Sequence, residues 1–82
     1  MMAPNNRLVT LDLPKDIVVK LAEIYLVNIY GEVVLKQKPW IVEYKDDSYI
    51  VKGQLPKNTW GGVAEIVIRR SDGKVVSYTH GK

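Results

Sequence analysis

The stretch PKDIVVKLAEIYLVNIYG, residues 14–31, decides the fold because it predicts one long helix near the start of the chain. Pro14 suits a first helical turn, where its missing N–H would have no partner, and Asp16 is favourable near the positive end of the helix dipole. Gly31 is a natural left-handed stop. The pattern therefore predicts a helix from Pro14 to the residue before Gly31, preceded by a loose lead-in over residues 1–13.

The helix carries more apolar surface than one face of a sheet needs. Projected at about 100° per residue, Asp16, Lys20 and Glu23 form one narrow polar stripe. The wide apolar face opposite comprises Ile17, Val18, Leu21, Ala22, Ile24, Tyr25 and Ile29, and it is extended by Val19, Leu26, Val27 and Tyr30. We expect the helix to be mostly buried, with the surplus covered either by the N-terminal segment or by a second copy in a homodimer.

After Gly31 the apolar period changes from that of a helix to that of strands. The pattern predicts a short strand at 33–36 that ends in a kink or bulge near Pro39, and further strands at 40–44, 49–52, 63–70 and 74–80. Short Asp- and Gly-containing segments at 46–48 and 71–73 predict hairpin turns. One helix followed by four or five antiparallel strands is an α+β architecture, with the helix packed on a curved sheet. This cystatin-like plan predicts a single domain over residues 14–82.

The amino-acid composition excludes or disfavours several classes of protein. The 82 residues are 46% apolar and 26% charged, which is typical of a globular domain, and the absence of Cys excludes disulfides and thiolate metal sites. The net charge is +3, but the basic residues are spread along the chain among acidic ones and form no long run, so nucleic-acid binding is not favoured. The sequence shows neither an apolar run long enough for a membrane span nor a signal-peptide core. We expect a cytoplasmic protein, or a periplasmic or secreted one if an export signal has been removed.

No constellation of catalytic or metal-binding residues is visible. His80 is the one histidine, and Glu43, Asp46 and Asp47 are the acids that could pair with it across a sheet. Aspartates at such positions are more typical of turns, and one His without Cys matches no metal-ligand spacing. The sequence therefore predicts no catalytic residue, no metal and no cofactor.

The aromatic residues are the most unusual feature of the composition. The chain has five Tyr and two Trp but no Phe, so each of these aromatic side chains carries a polar group, as is common in protein interfaces. Candidate contacts with a protein partner are Trp60, Tyr44, Tyr78, Lys57 and Arg69, on the outer face of the sheet and its loop. A pocket between helix and sheet, lined by Tyr25, Trp40 and His80, is the alternative.

Trp60 lies in GQLPKNTWGG, residues 53–62, where a large ring stands beside two glycines. It either folds back to plug the open end of the sheet or projects as an anchor for a partner. Glycine permits backbone conformations that other residues avoid, so this segment is interpreted as a shaped loop. Its structural residues are predicted to be Gly53, Leu55, Pro56, Gly61 and Gly62, with Gly73 in the second hairpin turn.

Several short sequence motifs occur together in a particular order. They are Ala22-Glu23, Ile29-Tyr30-Gly31, Lys38-Pro39-Trp40, YIVKGQLP at 49–56, GGVAEI at 61–66, SDGKVV at 71–76 and THGK at 79–82. Each motif alone has low specificity, but the ordered set resembles the bacterial immunity proteins with a nuclear transport factor 2-like fold, which belong to polymorphic-toxin systems. The resemblance extends over about residues 14–82.

This resemblance implies a non-enzymatic protein that binds and neutralises a cognate toxin, with no catalytic residue. Two features depart from the family: this chain shows no evident export signal, and it is basic. Inhibitors of basic nuclease toxins are typically acidic, so a nuclease target is disfavoured. Two alternatives stay open: a small-molecule or peptide binding domain, enzymatic or not, and a protease-regulating domain that resembles secreted peptidase propeptides.

Overall fold

The computed structural model describes residues 12–56 and 61–81. Its elements are α1 (Lys15–Tyr30), a 3₁₀ helix (Glu32–Gln37), β1 (Ile41–Lys45), β2 (Ser48–Lys52), β3 (Ala64–Arg69) and β4 (Val75–His80). The four strands form one antiparallel sheet in the order β1-β2-β3-β4. The predicted α+β class, with a helix packed on an antiparallel sheet, is confirmed.

Helix α1 begins and ends where its terminal residues predict. Pro14 is the extended residue that precedes the first helical residue, and Asp16 lies in the first turn. Gly31 has a φ of +88°, and its N–H donates a hydrogen bond of 2.8 Å to the Val27 carbonyl. A side chain at this φ would be strained, so glycine is the residue suited to ending the helix here.

The prediction of a strand at 33–36 is wrong, because these residues lie in the 3₁₀ helix. The Val34 N–H donates to the Gly31 carbonyl at 3.1 Å, which starts the tight turn, and the Lys38 N–H donates to the Leu35 carbonyl at 3.2 Å. Val34 is buried in the core while Val33 stays 63% exposed. Packing on α1 therefore overrides the strand preference of the valines, and the described sheet has four strands rather than five.

The core lies between α1 and the two central strands. Its buried residues are Val18, Ala22 and Leu26 on α1, Val34 on the 3₁₀ helix, Val51 on β2, and Ala64, Ile66 and Ile68 on β3. The expectation that α1 is mostly buried is wrong, since Ile24 is 65% exposed and Ile17, Tyr25 and Ile29 are also exposed. On α1 only the stripe of Val18, Ala22 and Leu26, at four-residue spacing, is fully buried, and the outer flank of the helix remains in contact with solvent.

The two hairpin turns follow the predicted chemistry. Lys45 pairs with Ser48, which leaves Asp46 and Asp47 as a two-residue turn with φ values of +53° and +63°. Two positive φ values identify a type I′ turn, whose twist matches that of the strands. In the turn between β3 and β4, Gly73 has a φ of +74° and donates to the Arg69 carbonyl at 2.8 Å. Within the described ranges, no helix has the length and apolarity that crossing a membrane requires.

Candidate functional site

Tyr44 forms part of a polar and aromatic cluster at the turn that joins β1 and β2. Its hydroxyl donates to Asp47 Oδ1 at 3.1 Å, and the Arg70 guanidinium carbon lies 5.3 Å from the centroid of its ring. Partial desolvation, followed by the hydrogen bond to Asp47, raises the pKa of the Tyr44 hydroxyl. Tyr44 is 50% exposed, so the cluster holds an accessible ring in one orientation. A ring fixed in this way loses little conformational entropy when a partner binds it.

Arg70 organises this cluster by joining three separate segments. Its Nε and Nη2 donate to Asp47 Oδ1 at 3.1 and 2.9 Å, and Nη2 also lies 3.3 Å from Asp12 Oδ2. The hydrogen bond to Asp47 raises the pKa of Arg70. Its backbone N–H donates to the Asp47 carbonyl, and its carbonyl accepts from Leu13. Because Asp47 and Arg70 are 23 positions apart in the chain, sequence spacing could not identify this clamp.

Tyr78 belongs to a second aromatic group at the opposite edge of the sheet. The ring of Tyr30 lies edge-on to Tyr78 with centroids 6.5 Å apart, and it is tilted against His80 at 5.2 Å. Tyr78 is 53% exposed, because α1 packs mainly over β2 and β3. The ring of Tyr30 thus supports an accessible Tyr78 on one side and contacts His80 as well.

The sheet register shows which side each candidate contact occupies. Tyr78 is opposite the buried Ile66, and Tyr44 is opposite Tyr49, which packs against the core. Directly paired residues point to the same side of a sheet, so both tyrosines lie on the helix-facing side, at its two uncovered edges. Their predicted position on the outer face is therefore wrong. Arg69 alternates with the buried Ile68 and lies on the outer side, where its Nε forms a 3.1 Å ion pair with Asp72.

The three residues predicted for a pocket have different surroundings. Trp40 Nε1 donates to Glu23 Oε1 at 3.0 Å, and Lys38 Nζ lies 2.9 Å from the same oxygen. The bonds from Lys38 and then Trp40 lower the pKa of Glu23. His80 lies against Tyr30, and Tyr25 is partly exposed on α1. In residues 12–56 and 61–81, no cavity is found between helix and sheet, and no group of three acidic or histidine side chains could hold a metal.

The first half of the GQLPKNTWGG loop is shaped by Gln37. Its Oε1 accepts from the Ala64 N–H at 2.8 Å, and its backbone carbonyl accepts from the Gln54 N–H at 2.8 Å. Gly53 is buried beneath this side chain, and a Cβ at Gly53 would overlap with it. The glycine is therefore required by close packing, which agrees with a shaped loop.

The remaining loop residues are described in part. Leu55 is half-buried and Pro56 is exposed, while Gly61 has a φ of +127° that favours glycine. Gly62 is half-buried. The predicted contacts Lys57 and Trp60 lie outside the described residues, so neither the plug nor the anchor interpretation of Trp60 is tested.

Comparison with known proteins identifies the family. The family described as "NTF2 fold immunity protein" matches residues 17–82, which is most of the chain. No solved structure gives a significant match. The chain belongs to the NTF2-fold immunity protein family, and the predicted resemblance is confirmed.

Two relatives from Escherichia coli (strain K12) are similar to this chain. It is 38% identical over 66 residues to the uncharacterized protein YbbC, a match that covers 78% of this chain and 54% of YbbC. It is 36% identical over 70 residues to the uncharacterized protein YhhH, a match that covers 83% of this chain and 55% of YhhH. The chain thus spans about half the length of these two relatives.

Proposed function

We propose that this member of the NTF2-fold immunity protein family binds a cognate bacterial toxin protein and neutralises it without catalysing a reaction. The observation that carries the proposal is the family match over residues 17–82, which includes nearly all of α1 and all four described strands. Immunity proteins of this family act on toxins in general, and the identity of the toxin is specific to each system.

The two exposed tyrosines support a protein partner. Tyr44 is oriented by Asp47 and Arg70, and Tyr78 is supported by Tyr30. Tyrosines that are rigid and half-exposed are typical anchors of protein interfaces, because their apolar area is buried at low entropic cost. We infer that toxin contacts lie at one or both of these edges, with Arg69, Lys57 and Trp60 as additional contacts.

The charge of the chain favours one kind of toxin surface. Its net charge of +3 would speed association with an acidic surface and slow association with a basic one. We therefore propose a toxin with an acidic binding surface, rather than a basic nuclease. A homodimer is compatible with this function. We propose that the protein acts in the compartment where it encounters the toxin.

The alternative is a small-molecule or peptide binding domain with a pocket between helix and sheet. Its predicted lining residues, Tyr25, Trp40 and His80, surround no cavity in the described part of the chain. No observation on those residues favours this alternative. It nevertheless gives a clear experimental contrast, because a pocket would depend on His80 and a protein interface would depend on Tyr44 or Tyr78.

The test is growth rescue followed by direct binding. Fragments of the host genome that inhibit growth when expressed are co-expressed with this protein. Each toxin whose growth inhibition is relieved is then purified, and its binding to this protein is measured by calorimetry. We expect rescue with a stoichiometric complex, weakened at least tenfold by Tyr44→Ala or Tyr78→Ala and little changed by Tyr25→Ala. Rescue without complex formation, or rescue lost with His80→Ala and retained in both tyrosine variants, would contradict the proposal.

A further inference from the structure

Strand β4 has one backbone edge that no described residue pairs with. Among the described residues it pairs only with β3 and forms one margin of the sheet. The Gly81 N–H donates to the Val63 carbonyl at 3.2 Å, which marks this pair as a hydrogen-bonded rung of the antiparallel ladder. Since such rungs alternate, Thr79 is also bonded to β3, whereas the N–H and C=O groups of Tyr78 and His80 point away from the sheet. These groups can accept another strand.

Apart from an irregularity near its start, the β4 edge lacks the features that usually prevent strand addition. Its residues, Val75–His80, include no Lys, Arg, Asp, Glu or Pro. The opposite edge, β1, carries Glu43 and Lys45 and follows Pro39, all of which discourage pairing. The irregularity in β4 lies beside Val67 and Ile68, at the beginning of the strand, so the segment that includes Tyr78 and His80 remains regular.

We propose that β4 pairs antiparallel with β4 of a second copy of this chain, with the two-fold axis through Thr79. In this register, Tyr78 of each copy is opposite His80 of the other, and each of these two pairs exchanges two backbone hydrogen bonds. Cross-strand aromatic pairs further stabilise such a ladder. Because Tyr30 already contacts both rings in one copy, the aromatic group continues across the axis.

Charge and exposure favour a second copy as the occupant of this edge. When a strand pairs with the same strand of a second copy, residues of like charge come close together and repel each other. Because β4 contains no Lys, Arg, Asp or Glu, this repulsion does not arise. The net charge of +3 on each copy lies outside β4, where salt screens it at distances beyond about 8 Å. Tyr78 and Val76, which are 53% and 56% exposed, offer apolar area that pairing can remove from water.

The test places like charges on the proposed axis. Thr79 is opposite Glu65 on β3, so Thr79→Lys gains an oppositely charged neighbour within one copy and should keep the fold. Between the two copies, the same substitution places two lysine ammonium groups opposite each other at the proposed two-fold axis. By sedimentation equilibrium of the full chain, we expect the wild type to dimerise and Thr79→Lys to raise the dimer dissociation constant about tenfold or more, equivalent to ~1.4 kcal/mol.

A charge swap makes the test specific to this register. Thr79→Glu should also dissociate, and a mixture of the Thr79→Lys and Thr79→Glu variants should recover a heterodimer. The matched control is Ile41→Glu, at an exposed residue of the opposite edge strand, where the new carboxylate faces Lys52 on β2 and association should be unchanged. Far-UV circular dichroism of each variant confirms that it is folded.

Two results would overturn the proposal. The first is a wild type that remains monomeric at every concentration up to its solubility limit, and the second is a dimer that Thr79→Lys does not weaken. If the wild type is monomeric and its complex with a cognate toxin is lost on Thr79→Lys, the edge binds a strand of the toxin instead of a second copy. The dimer is measured on the purified chain alone, so its presence or absence is independent of toxin neutralisation.

Discussion

The indole Nε1 of Trp40 donates a hydrogen bond of 3.0 Å to Oε1 of Glu23, which lies 17 positions earlier in the chain. Lys38 Nζ approaches the same oxygen at 2.9 Å. One carboxylate on α1 therefore holds both residues that flank Pro39, and with them the entry into β1.

Stability should fall on acidification in a way that depends on Glu23. The bonds from Lys38 and Trp40 lower the pKa of Glu23 below its ordinary value near 4.5, so the carboxylate stabilises the fold above that pH. The contribution is lost as pH falls through the lowered pKa. Urea unfolding at ~pH 7 and ~pH 3 should show a smaller acid loss for Glu23→Gln than for the wild type. Equal losses in the two proteins would contradict this assignment.

Removing Arg70 should destabilise the protein more than removing Arg69. Arg70 joins Asp47 and Asp12, whereas Arg69 forms one exposed ion pair with Asp72. Because exposed ion pairs contribute little one at a time, we expect Arg70→Ala, which removes contacts with two carboxylates, to lower the free energy of unfolding more than Arg69→Ala, which removes one. Urea midpoints measure both. A loss for Arg69→Ala that matches or exceeds that for Arg70→Ala would argue against the clamp.

Gly53→Ala should destabilise the loop that follows β2. The added Cβ would overlap with the side chain of Gln37, whose amide oxygen also binds the Ala64 N–H. Overpacking at such a site costs about 1–3 kcal/mol, which thermal unfolding should detect as a lower melting temperature. The matched control is Gly81→Ala, since a Cβ at Gly81 meets no atom within 4 Å. A stable Gly53→Ala variant would show that the Gln37 side chain can move away at little cost.

Leu26→Ala and Ile24→Ala should have very different effects although both residues lie on α1. Leu26 is fully buried, so its truncation leaves a cavity and should cost about 2–5 kcal/mol. Ile24 is 65% exposed and should change stability by no more than about 0.5 kcal/mol. The comparison is made by urea unfolding at low protein concentration. A large loss for Ile24→Ala would mean that another chain covers this flank of the helix.

The amino-acid sequence alone determined the features that depend on neighbouring residues. Pro14 and Gly31 predicted the ends of α1 to within one residue, because proline and glycine act through their own backbone preferences. Asp46 and Asp47 predicted the first hairpin turn for the same reason, and Gly73 predicted the second. These local signals, with the change of apolar period after Gly31, were sufficient for the α+β class.

Only the tertiary structure decided the features that depend on contacts between distant residues. Val33 and Val34 have the composition of a strand, yet burial of Val34 against α1 makes them helical. Tyr44 and Tyr78 are placed by sheet register on the helix-facing side, and Arg70 meets Asp47 only because two hairpin turns come together. Each of these features depends on the burial or pairing energies of segments that are far apart in the chain, and no local sequence pattern encodes those energies.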